Sequence, residues 1–393
     1  MSEANPWPRD ADQHYYEVEE SFTRHLPKAF RKRGVRFVSS GRRVEVLAGG
    51  RANAFIPNPT FDPVIVPGSL DLFFRGQIGP EDDRAAMLTS VEPVRPEYRD
   101  RDVRLDVLKQ QGIDCTLLFP TMGVGVEEAL REDVPAAMAT ISAFNRWLEE
   151  DWGFAYQDKL FAVPLLSFSD PDEAVRELEW CLSKGARMVH VRPSPVPMAG
   201  GYRSPGDDVF DPIWARIDEA GVAVAMHLGD NGYQRFIARW SEHEEFEAFT
   251  EKSIELGAMV NGSRAIHDMV GKLIMDGVLH RFPNVRLFSV ENGSDWLVTL
   301  EKRLRKKANQ RPDLFPEHPT DVIRSRVFTT PYAEDDIGAL VERIGASQIL
   351  FGSDWPHGEG LADPISYRGL LADLPDSQSD AIMRDNLTRL IGL

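Results

Sequence analysis

Hydrophobic positions along this chain form short runs of strand type that alternate with longer amphipathic stretches. Each apolar run ends at a proline, a hydroxyl residue or an ionisable residue, and the stretch that follows has the 3.6-residue period of a helix. The pattern predicts seven strands, at residues 114–121, 160–168, 188–193, 222–230, 285–293, 327–331 and 349–351. It predicts helices at residues 103–111, 135–152, 171–184, 212–220, 244–279, 296–311 and 337–344.

One more strand, the first in chain order, is predicted near the N-terminus at residues 10–17 and brings the total to eight. Apolar strands that alternate with helices imply a parallel sheet, and eight of them indicate a closed barrel. We therefore predict an α/β fold, a (β/α)8 TIM barrel in which residues 1–393 form one domain. An open doubly wound sheet is the alternative, but no glycine-rich phosphate loop follows the first strand.

Residues 35–104 interrupt this alternation. Two short strands at residues 36–41 and 43–47 have the pattern of a hairpin, and a loop rich in Pro, Asn and Phe follows. The segment is too long for a plain barrel connection. We interpret it as an insertion that covers the barrel mouth, the end where the strands finish, with Arg51 and Arg75 as candidate substrate contacts. Surface decoration is the alternative.

Charge and composition narrow the class of partner. The 62 acidic and 45 basic residues give a net charge of −17, which argues against a nucleic-acid or anionic-membrane surface. No apolar run approaches the roughly 18 residues that span a bilayer, and the first residues lack the pattern of a signal peptide. Cys115 and Cys181 are far apart in apolar segments, which favours free thiols. We expect a soluble cytoplasmic protein with a small-molecule partner, and no nucleic-acid or membrane partner.

Ionisable side chains recur at the predicted strand ends. Asp12 and His14 share one face of the first strand, because alternate residues of a strand point the same way. His227, Glu291 and Asp354 end the fifth, sixth and eighth strands. Barrel enzymes carry their active sites at these ends, and carboxylates with imidazoles suit Zn²⁺ or Mn²⁺. Each residue alone could instead be a helix cap or a polar core group, but their joint occurrence favours a cation site.

Two further strand-end residues complete the candidate site. Arg192 ends the fourth strand and could pair with an anionic group of a substrate. His357 follows Asp354 by three residues in the same loop, which contains Pro356, Gly358 and Gly360 and therefore forms no regular element. We expect His357 to lie near the barrel mouth.

These motifs resemble the amidohydrolase superfamily. The motifs are Asp10-x-Asp12-x-His14 on the first strand, His227 on the fifth, and Gly-Ser-Asp354-Trp-Pro-His357 after the eighth. The branch that this chain resembles is decarboxylase-like, with aminocarboxymuconate-semialdehyde, resorcylate and carboxyvanillate decarboxylases. The resemblance covers the chain apart from the insertion.

The resemblance implies a metal site and an oligomeric state. Metal ligands would fall on Asp12, His14, His227 and Asp354, holding one divalent ion, with Zn²⁺ expected first and Mn²⁺ as the alternative. No lysine ends the fourth strand, so the bridge of two-metal members is not expected. Members of this branch are commonly dimers, which implies a homodimer.

The resemblance also implies an activity, the non-oxidative decarboxylation of a small aromatic or enoic carboxylic acid. Asp354, Glu291 and His357 would be the catalytic groups, and Arg192, with Arg51 and Arg75, would contact the substrate. The aminocarboxymuconate enzyme has a catalytic histidine where this chain has Glu291. Metal-dependent hydrolysis of an amide, lactone or related bond therefore stays open as an alternative, as does a non-catalytic binding subunit.

Overall fold

Eight parallel segments form the centre of the protein. The structure is a computed structural model that describes residues 7–40, 43–53, 55–56, 58–79, 83, 86–87, 89–240 and 263–393. One sheet joins Arg9–Tyr15, Cys115–Pro120 and Leu160–Ala162, and a second joins Met188–His190, Ala223–His227, Leu287–Val290 and Val327–Thr329. All neighbouring strands within these two sheets are parallel.

Three parallel bridges close the two sheets into a ring. Leu165 pairs with His190 between the third and fourth segments, and Thr329 pairs with Ile349 between the seventh and eighth. The eighth segment, residues 349–351, then meets the first, where the Ala11 amide donates to the Phe351 carbonyl at 2.8 Å. The predicted TIM barrel is confirmed. Its eighth segment makes bridges instead of the regular strand that we predicted.

Side chains that alternate along the strands fill the barrel interior, as they do in barrels of this size. This inner cluster consists of Ala11, Cys115, Leu117, Phe119, Phe161, Val163, Met188, Ala223, Ala225, Phe288, Val290, Phe328 and Leu350, with three residues of the C-terminal helix. Cys115 and Cys181 are both buried and free, as predicted. Because these side chains fill the barrel interior, a catalytic site is expected at the carboxyl ends of the strands.

Helices surround the ring and follow the predicted positions closely. They span Arg101–Gln110, Val126–Ala129, Val134–Asp151, Pro171–Ser183, Asp211–Ala220, Gln234–Trp240, Arg264–Met275, Val278–Arg281, Asp295–Gln310, Pro319–Arg326, Ile337–Ile344, Asp376–Asp380, Ala381–Asp385 and Asn386–Ile391. Aspartate caps such as Asp133 and Asp170 accept a hydrogen bond from the first turn and define where helices begin.

The predicted helix at residues 244–279 is only partly testable, because residues 241–262 lie outside the described residues. Its remainder consists of two helices that Gly277 separates. Gly277 has a φ of +72°, in the left-handed region where glycine carries no steric penalty. Among the helices that the structure describes, none is long and apolar enough to span a membrane.

The segment between the first and second barrel strands contains two small antiparallel sheets. Val35–Ser40, Arg43–Ala48 and Arg51–Asn53 form one, and Val64–Ile65 pairs with Val91–Glu92 in the other. A short helix spans Asp71–Phe74. The Gly68 and Leu70 amides donate to the carbonyls of His357 and Gly358 at 3.1 and 2.8 Å. The segment therefore contacts the loop that follows the eighth barrel segment, and its role as a cover stays a prediction.

Candidate metal centre

Three buried side chains from two barrel strands converge at the mouth. The Nε2 atoms of His14 and His227 are 3.2 Å apart, and they lie 3.4 and 3.5 Å from Oδ1 of Asp12. All three residues are at most 2% exposed. Bonds of about 2.0–2.2 Å to a single ion place neighbouring ligand atoms about 3.0–3.6 Å apart, so these separations fit the edges of a coordination shell.

Asp354 joins this set through His14. Its Oδ1 lies 3.2 Å from the His14 Nε2. The ligand atoms of Asp12, His14 and His227 lie within 4.8 Å of one another, and so do those of His14, Asp354 and His357. Asp354 Oδ1 and Asp12 Oδ1 are buried and have no hydrogen-bond partner among the described residues. Buried acceptors without donors are costly unless a cation satisfies them, so the set fits a divalent ion.

A hydrogen bond orients His227 toward this set. Its Nδ1 lies 2.7 Å from the Leu228 carbonyl, which can only accept, so Nδ1 carries the proton. The Nε2 atom faces Asp12 and His14 and is the His227 atom that would bind a metal. A metal-ligating histidine commonly has its tautomer set by a partner of this kind.

The electrostatics of the set favour positive charge. Burial alone would lower the pKa of His14, but the carboxylates of Asp12 and Asp354 outweigh it and raise that pKa to about 10. Burial likewise opposes ionisation of Asp354, yet His357 and His14 hold its pKa below the usual range. Two ionised carboxylates thus face two imidazoles in a buried space, which is the charge balance that a bound cation requires.

Glu291 differs from the other carboxylates. Its Oε2 lies 3.3 Å from the His227 Nε2. Burial, together with the charges of Asp354, Asp12 and Glu359, raises the pKa of Glu291 well above its ordinary value. The pKa of Glu291 is thus raised while that of Asp354 is lowered, and such a divergence separates a proton donor from a ligand.

The backbone is held in an uncommon conformation at both strand-end acids. Glu291 and Asp354 have φ values of +54° and +55°, a region that residues with a Cβ rarely occupy. The hydroxyl of Tyr332 donates to the Glu291 carbonyl at 2.7 Å, and the Asp354 amide donates to the Asp12 carbonyl at 2.8 Å. Strain of this kind is retained where the surroundings fix a functional side chain.

Asp10 and Arg104 hold the first strand against the eighth segment. Asp10 accepts hydrogen bonds from the Ser353 amide and hydroxyl at 3.0 and 2.6 Å, and burial raises its pKa to about 7. The fully buried Arg104 donates to the His14 carbonyl at 2.6 Å, and its guanidinium lies 4.5 Å from the centre of the Trp355 ring. Through these contacts, Asp10 and Arg104 fix the backbone next to the ligands His14 and Asp354.

His357 lies at the edge of the set, as expected. Its ring stacks on His14 with centroids 3.9 Å apart, and its Nδ1 is 2.8 Å from Asp354 Oδ1. Ligand atoms of Glu291, Asp354, His357 and Glu359 also lie within 4.8 Å of one another. Sequence reasoning missed Glu359, although it follows His357 by two residues in the same loop.

The predicted arginine contacts all have carboxylate partners within the protein. Arg192 is buried between Glu128, 2.6 Å from its Nη1, and Glu127, 3.3 Å from its Nε. The substrate-binding roles of Arg192, Arg51 and Arg75 stay predictions. The other two pairs are Arg75 with Asp71 at 2.6 Å and Arg51, whose side chain is 79% exposed, with Glu132 at 3.3 Å.

Comparison with known proteins identifies the family. The sequence profile of the amidohydrolase family matches residues 10–393. The chain belongs to the amidohydrolase family. A solved amidohydrolase from Mycobacterium avium subsp. paratuberculosis is 46% identical to this amidohydrolase and superposes with a TM-score of 0.94, over 99% of this chain and 100% of that chain.

More distant solved structures include decarboxylases. A dihydroxybenzoic acid decarboxylase from Polaromonas sp., with bound manganese and the inhibitor 2-nitroresorcinol, is 15% identical with a TM-score of 0.57, over 83% of this chain and 93% of that chain. A 5-carboxyvanillate decarboxylase from Novosphingobium aromaticivorans, also with manganese, is 14% identical with a TM-score of 0.56, over 98% and 97%. The likeness to these two decarboxylases shows a shared fold, and the predicted relationship to the amidohydrolases is confirmed by the family profile.

Proposed function

We propose that this amidohydrolase is a metal-dependent, non-oxidative decarboxylase of a small aromatic or enoic carboxylic acid. The observation that carries the proposal is the position of Glu291, whose Oε2 lies 3.3 Å from the His227 Nε2 of the buried metal-binding set and whose pKa is raised. A decarboxylase of this kind needs a cation, which neutralises the substrate's carboxylate, and an acid, which delivers a proton to carbon. Decarboxylases among the structural neighbours support this reaction class.

Asp12, His14, His227 and Asp354 would hold the ion. A divalent ion in this position supplies Lewis acidity toward a carboxylate and an adjacent oxygen of the substrate. Two imidazoles with two carboxylates suit Zn²⁺, which we propose first. Mn²⁺ is the alternative, supported by the manganese bound in the two distant decarboxylases.

Glu291 would provide the proton. Burial and the neighbouring carboxylates raise the pKa of Glu291, whereas the pKa of Asp354 is lowered, so Glu291 keeps its proton to a higher pH than the ligand Asp354. Transfer of that proton to the carbon that bears the carboxylate forms a C–H bond. The C–C bond then breaks, its electron pair returns to the conjugated system, and CO2 leaves. Glu291 remains as a carboxylate, and solvent supplies the next proton.

The arginine pairings bear on the substrate. Since Glu127 and Glu128 already neutralise the buried Arg192, we place the substrate's carboxylate at the metal-binding set. A substrate with one carboxylate and an adjacent hydroxyl or keto oxygen suits this arrangement better than a dicarboxylate.

Release of CO2 tests the proposal. The protein is loaded with Zn²⁺ or Mn²⁺ and assayed with 2,6-dihydroxybenzoate and with enoic acids that carry one carboxylate beside a keto oxygen. We expect CO2 from at least one of these classes, and Glu291→Gln should lower kcat by about 10²- to 10⁴-fold, as loss of a general acid does. The matched control is Glu132→Gln, at a residue whose side chain is 63% exposed, and it should leave kcat unchanged. Turnover without CO2 would contradict the proposal.

Hydrolysis is the second candidate, and one observation favours it. Carboxylate oxygens of Glu291 and Asp354 lie within 4.8 Å of each other, and the same acid–base pair could activate water instead of protonating carbon. Lactone or amide substrates followed by acid release in a pH-stat would identify this activity. Product formation there, with no CO2 from any carboxylic acid, would replace the first proposal with the second.

A further inference from the structure

We propose that a cavity beside the barrel is a binding site for a small organic cation, an amine carried on an aromatic body. The cavity has a volume of about 300 Å³, where the usual range of small-molecule pockets begins. It lies between the first turns of two neighbouring helices, Val134–Asp151 and Pro171–Ser183, and beside the end of the third barrel segment. No member of the metal-binding set lines it, so the inference does not depend on the proposed function.

The first helix gives the cavity an apolar wall. Val134, Met138 and Ile141 line it at the spacing i, i+4 and i+7, which places the three side chains on one face of the helix. Leu166, from the end of the third barrel segment, and Phe30, from the short helix Lys28–Phe30, add to the same wall. Such a surface favours the burial of an aromatic or branched apolar group.

The second helix presents carboxyl groups to the same cavity. Asp170, Glu173 and Glu177 line it at the spacing i, i+3 and i+7, so these side chains also share a face. None of the described residues that line the cavity is basic. An anionic ligand would therefore meet only like charge, whereas a cation meets complementary charge. A neutral apolar ligand would take carboxylates out of water and offer them no partner, which is costly.

Asp170 is the carboxylate that is available to a ligand. Glu177 pairs with Arg146, and Glu173 pairs with Arg176 at 2.6 Å. Asp170 makes no ion pair with a described residue, and its Oδ1 caps the helix by accepting from the Glu173 amide at 3.1 Å. Its second oxygen, Oδ2, can accept a charge-assisted hydrogen bond from an ammonium group while the cap stays in place.

The arrangement of these acids favours an organic cation over a metal ion. A protein metal site brings several ligand atoms around one point. Among the described residues, the groups of three or more acidic, histidine or cysteine side chains with ligand atoms within 4.8 Å of one another all lie at the barrel mouth, and Asp170, Glu173 and Glu177 belong to none of them. An ammonium group needs only one carboxylate, provided that its apolar body occupies the rest of the cavity.

Ligand-detected proton NMR of chelator-treated protein with tryptamine tests the inference, since tryptamine carries an ammonium group on an indole. We expect saturable binding with a Kd of about 1 mM or lower, the range that ligands of this size reach. Tryptophol has a hydroxyl in place of the ammonium group, and it should bind about 10-fold more weakly, because a hydrogen bond to a charged group is lost. Indole-3-propionate, an anion, should bind still more weakly.

Variants locate the bound amine. Asp170→Asn removes the charge but keeps a side chain that caps a helix equally well, and it should raise the Kd of tryptamine by about 10-fold. The matched control is Asp172→Asn, which removes the same charge from an exposed position in the first turn of the same helix, and it should leave the Kd unchanged. Met138→Trp fills the cavity and should abolish binding, with thermal unfolding used to check that the variant is folded.

Three results would overturn the inference. They are no binding at millimolar tryptamine, equal binding of tryptophol, and an effect of Asp170→Asn no larger than that of Asp172→Asn. The last would show a general attraction of cations to a chain of net charge −17. If Met138→Trp does not fold, the two aspartate variants still decide. The test needs neither metal nor turnover, so its failure and the failure of the proposed function are distinguishable.

Discussion

The two sides of the barrel mouth use buried charge in opposite ways. On the metal side, formed by Asp12, His14, His227 and Asp354, two carboxylate oxygens are buried without a hydrogen-bond donor among the described residues. On the arginine side, formed by Glu127, Glu128 and Arg192, the carboxylates are engaged. Glu128 meets Arg192 at 2.6 Å, Arg131 at 3.5 Å and also Arg235, and Glu127 accepts from the Ser167 hydroxyl at 2.7 Å.

This difference distinguishes a side that can bind a ligand from a side that stabilises the fold. Fully paired buried charges contribute a defined geometry, whereas buried acceptors that lack donors cost free energy that only a ligand can offset. The same barrel end therefore contains a side that can bind a cation and a side that holds the third, fourth and fifth strands together. Variants on each side should respond differently, and four expectations follow in order of size.

The largest effect on stability is expected from Arg192→Met on the arginine side. Removing the guanidinium leaves Glu127 and Glu128 without their shared partner, and a broken buried pair costs about 3–5 kcal/mol. The free energy of unfolding, measured with urea, should fall by that amount. Adding Glu127→Gln should recover part of the loss, because Arg192 is the cationic partner of Glu127 among the described residues, whereas Glu128 keeps Arg131 and Arg235. A cost below about 1 kcal/mol would contradict a supporting role for this side, since such values are typical of exposed pairs.

Asp230 provides a pH-dependent test on the same side. Burial, and then the charge of Glu128, raise the pKa of Asp230 from 3.8 to about 6. The folded state therefore binds this proton more tightly than the unfolded state, so the stability it contributes is present below pH 3.8 and is lost as the pH rises through about 6.

Asp230→Asn should accordingly stabilise the protein above pH 6, by at most about 3 kcal/mol at 1.36 kcal/mol per pKa unit. It should have little effect near pH 4. Unfolding curves of both proteins at the two pH values measure this difference. Equal stabilisation at both values would show that the pKa of Asp230 is the same in the folded and unfolded proteins, which would contradict the shift.

On the metal side, Glu291→Gln should lower activity without lowering stability. Burial, and then the charges of Asp354, Asp12 and Glu359, raise the pKa of Glu291, so above its ordinary pKa folding must take up a proton there. A neutral amide removes that cost. The melting temperature of chelator-treated protein should be equal to or higher than that of the parent, while turnover falls. A clear drop in melting temperature would assign Glu291 a structural role instead.

The smallest effect is expected from Arg51→Met. The Arg51 side chain is 79% exposed and its partner Glu132 is 63% exposed, so the ion pair contributes at most a few tenths of a kcal/mol. Both the free energy of unfolding and KM should stay within error of the parent. A large rise in KM would instead support the predicted substrate contact.

The sequence predicted the parts of this molecule that depend on local patterns. The barrel followed from strand and helix periods. The strand ends indicated a cation site among Asp12, His14, His227, Glu291 and Asp354, since a parallel barrel brings those ends together, and the family resemblance implied which four are ligands. The exact form of the eighth segment did not follow from the sequence. It makes only single bridges among the described residues, Ile349 with Thr329 and, just after the segment, Trp355 with Gln13.

The missed features depend on contacts between distant segments. Arg192 was correctly placed at a strand end, but nothing local shows that helix Val126–Ala129 brings two glutamates to it. Thr121 meets His357 across 236 positions of sequence. Glu359 required the path of an irregular loop. Pairings of this kind are decided by tertiary packing, so the chemistry of a strand end is predictable while its partner is not.

The central claim, that the metal side binds a divalent cation, is tested most directly by Mn²⁺ titration of chelator-treated protein, with free Mn²⁺ followed by electron paramagnetic resonance. We predict one equivalent in the parent and in His280→Asn, a control at an exposed histidine. In His227→Asn the affinity should fall by at least about 100-fold, since even outer-shell partners cost up to that much. A parent that binds no Mn²⁺ or Zn²⁺, or a His227→Asn variant that binds as the parent does, would contradict the account.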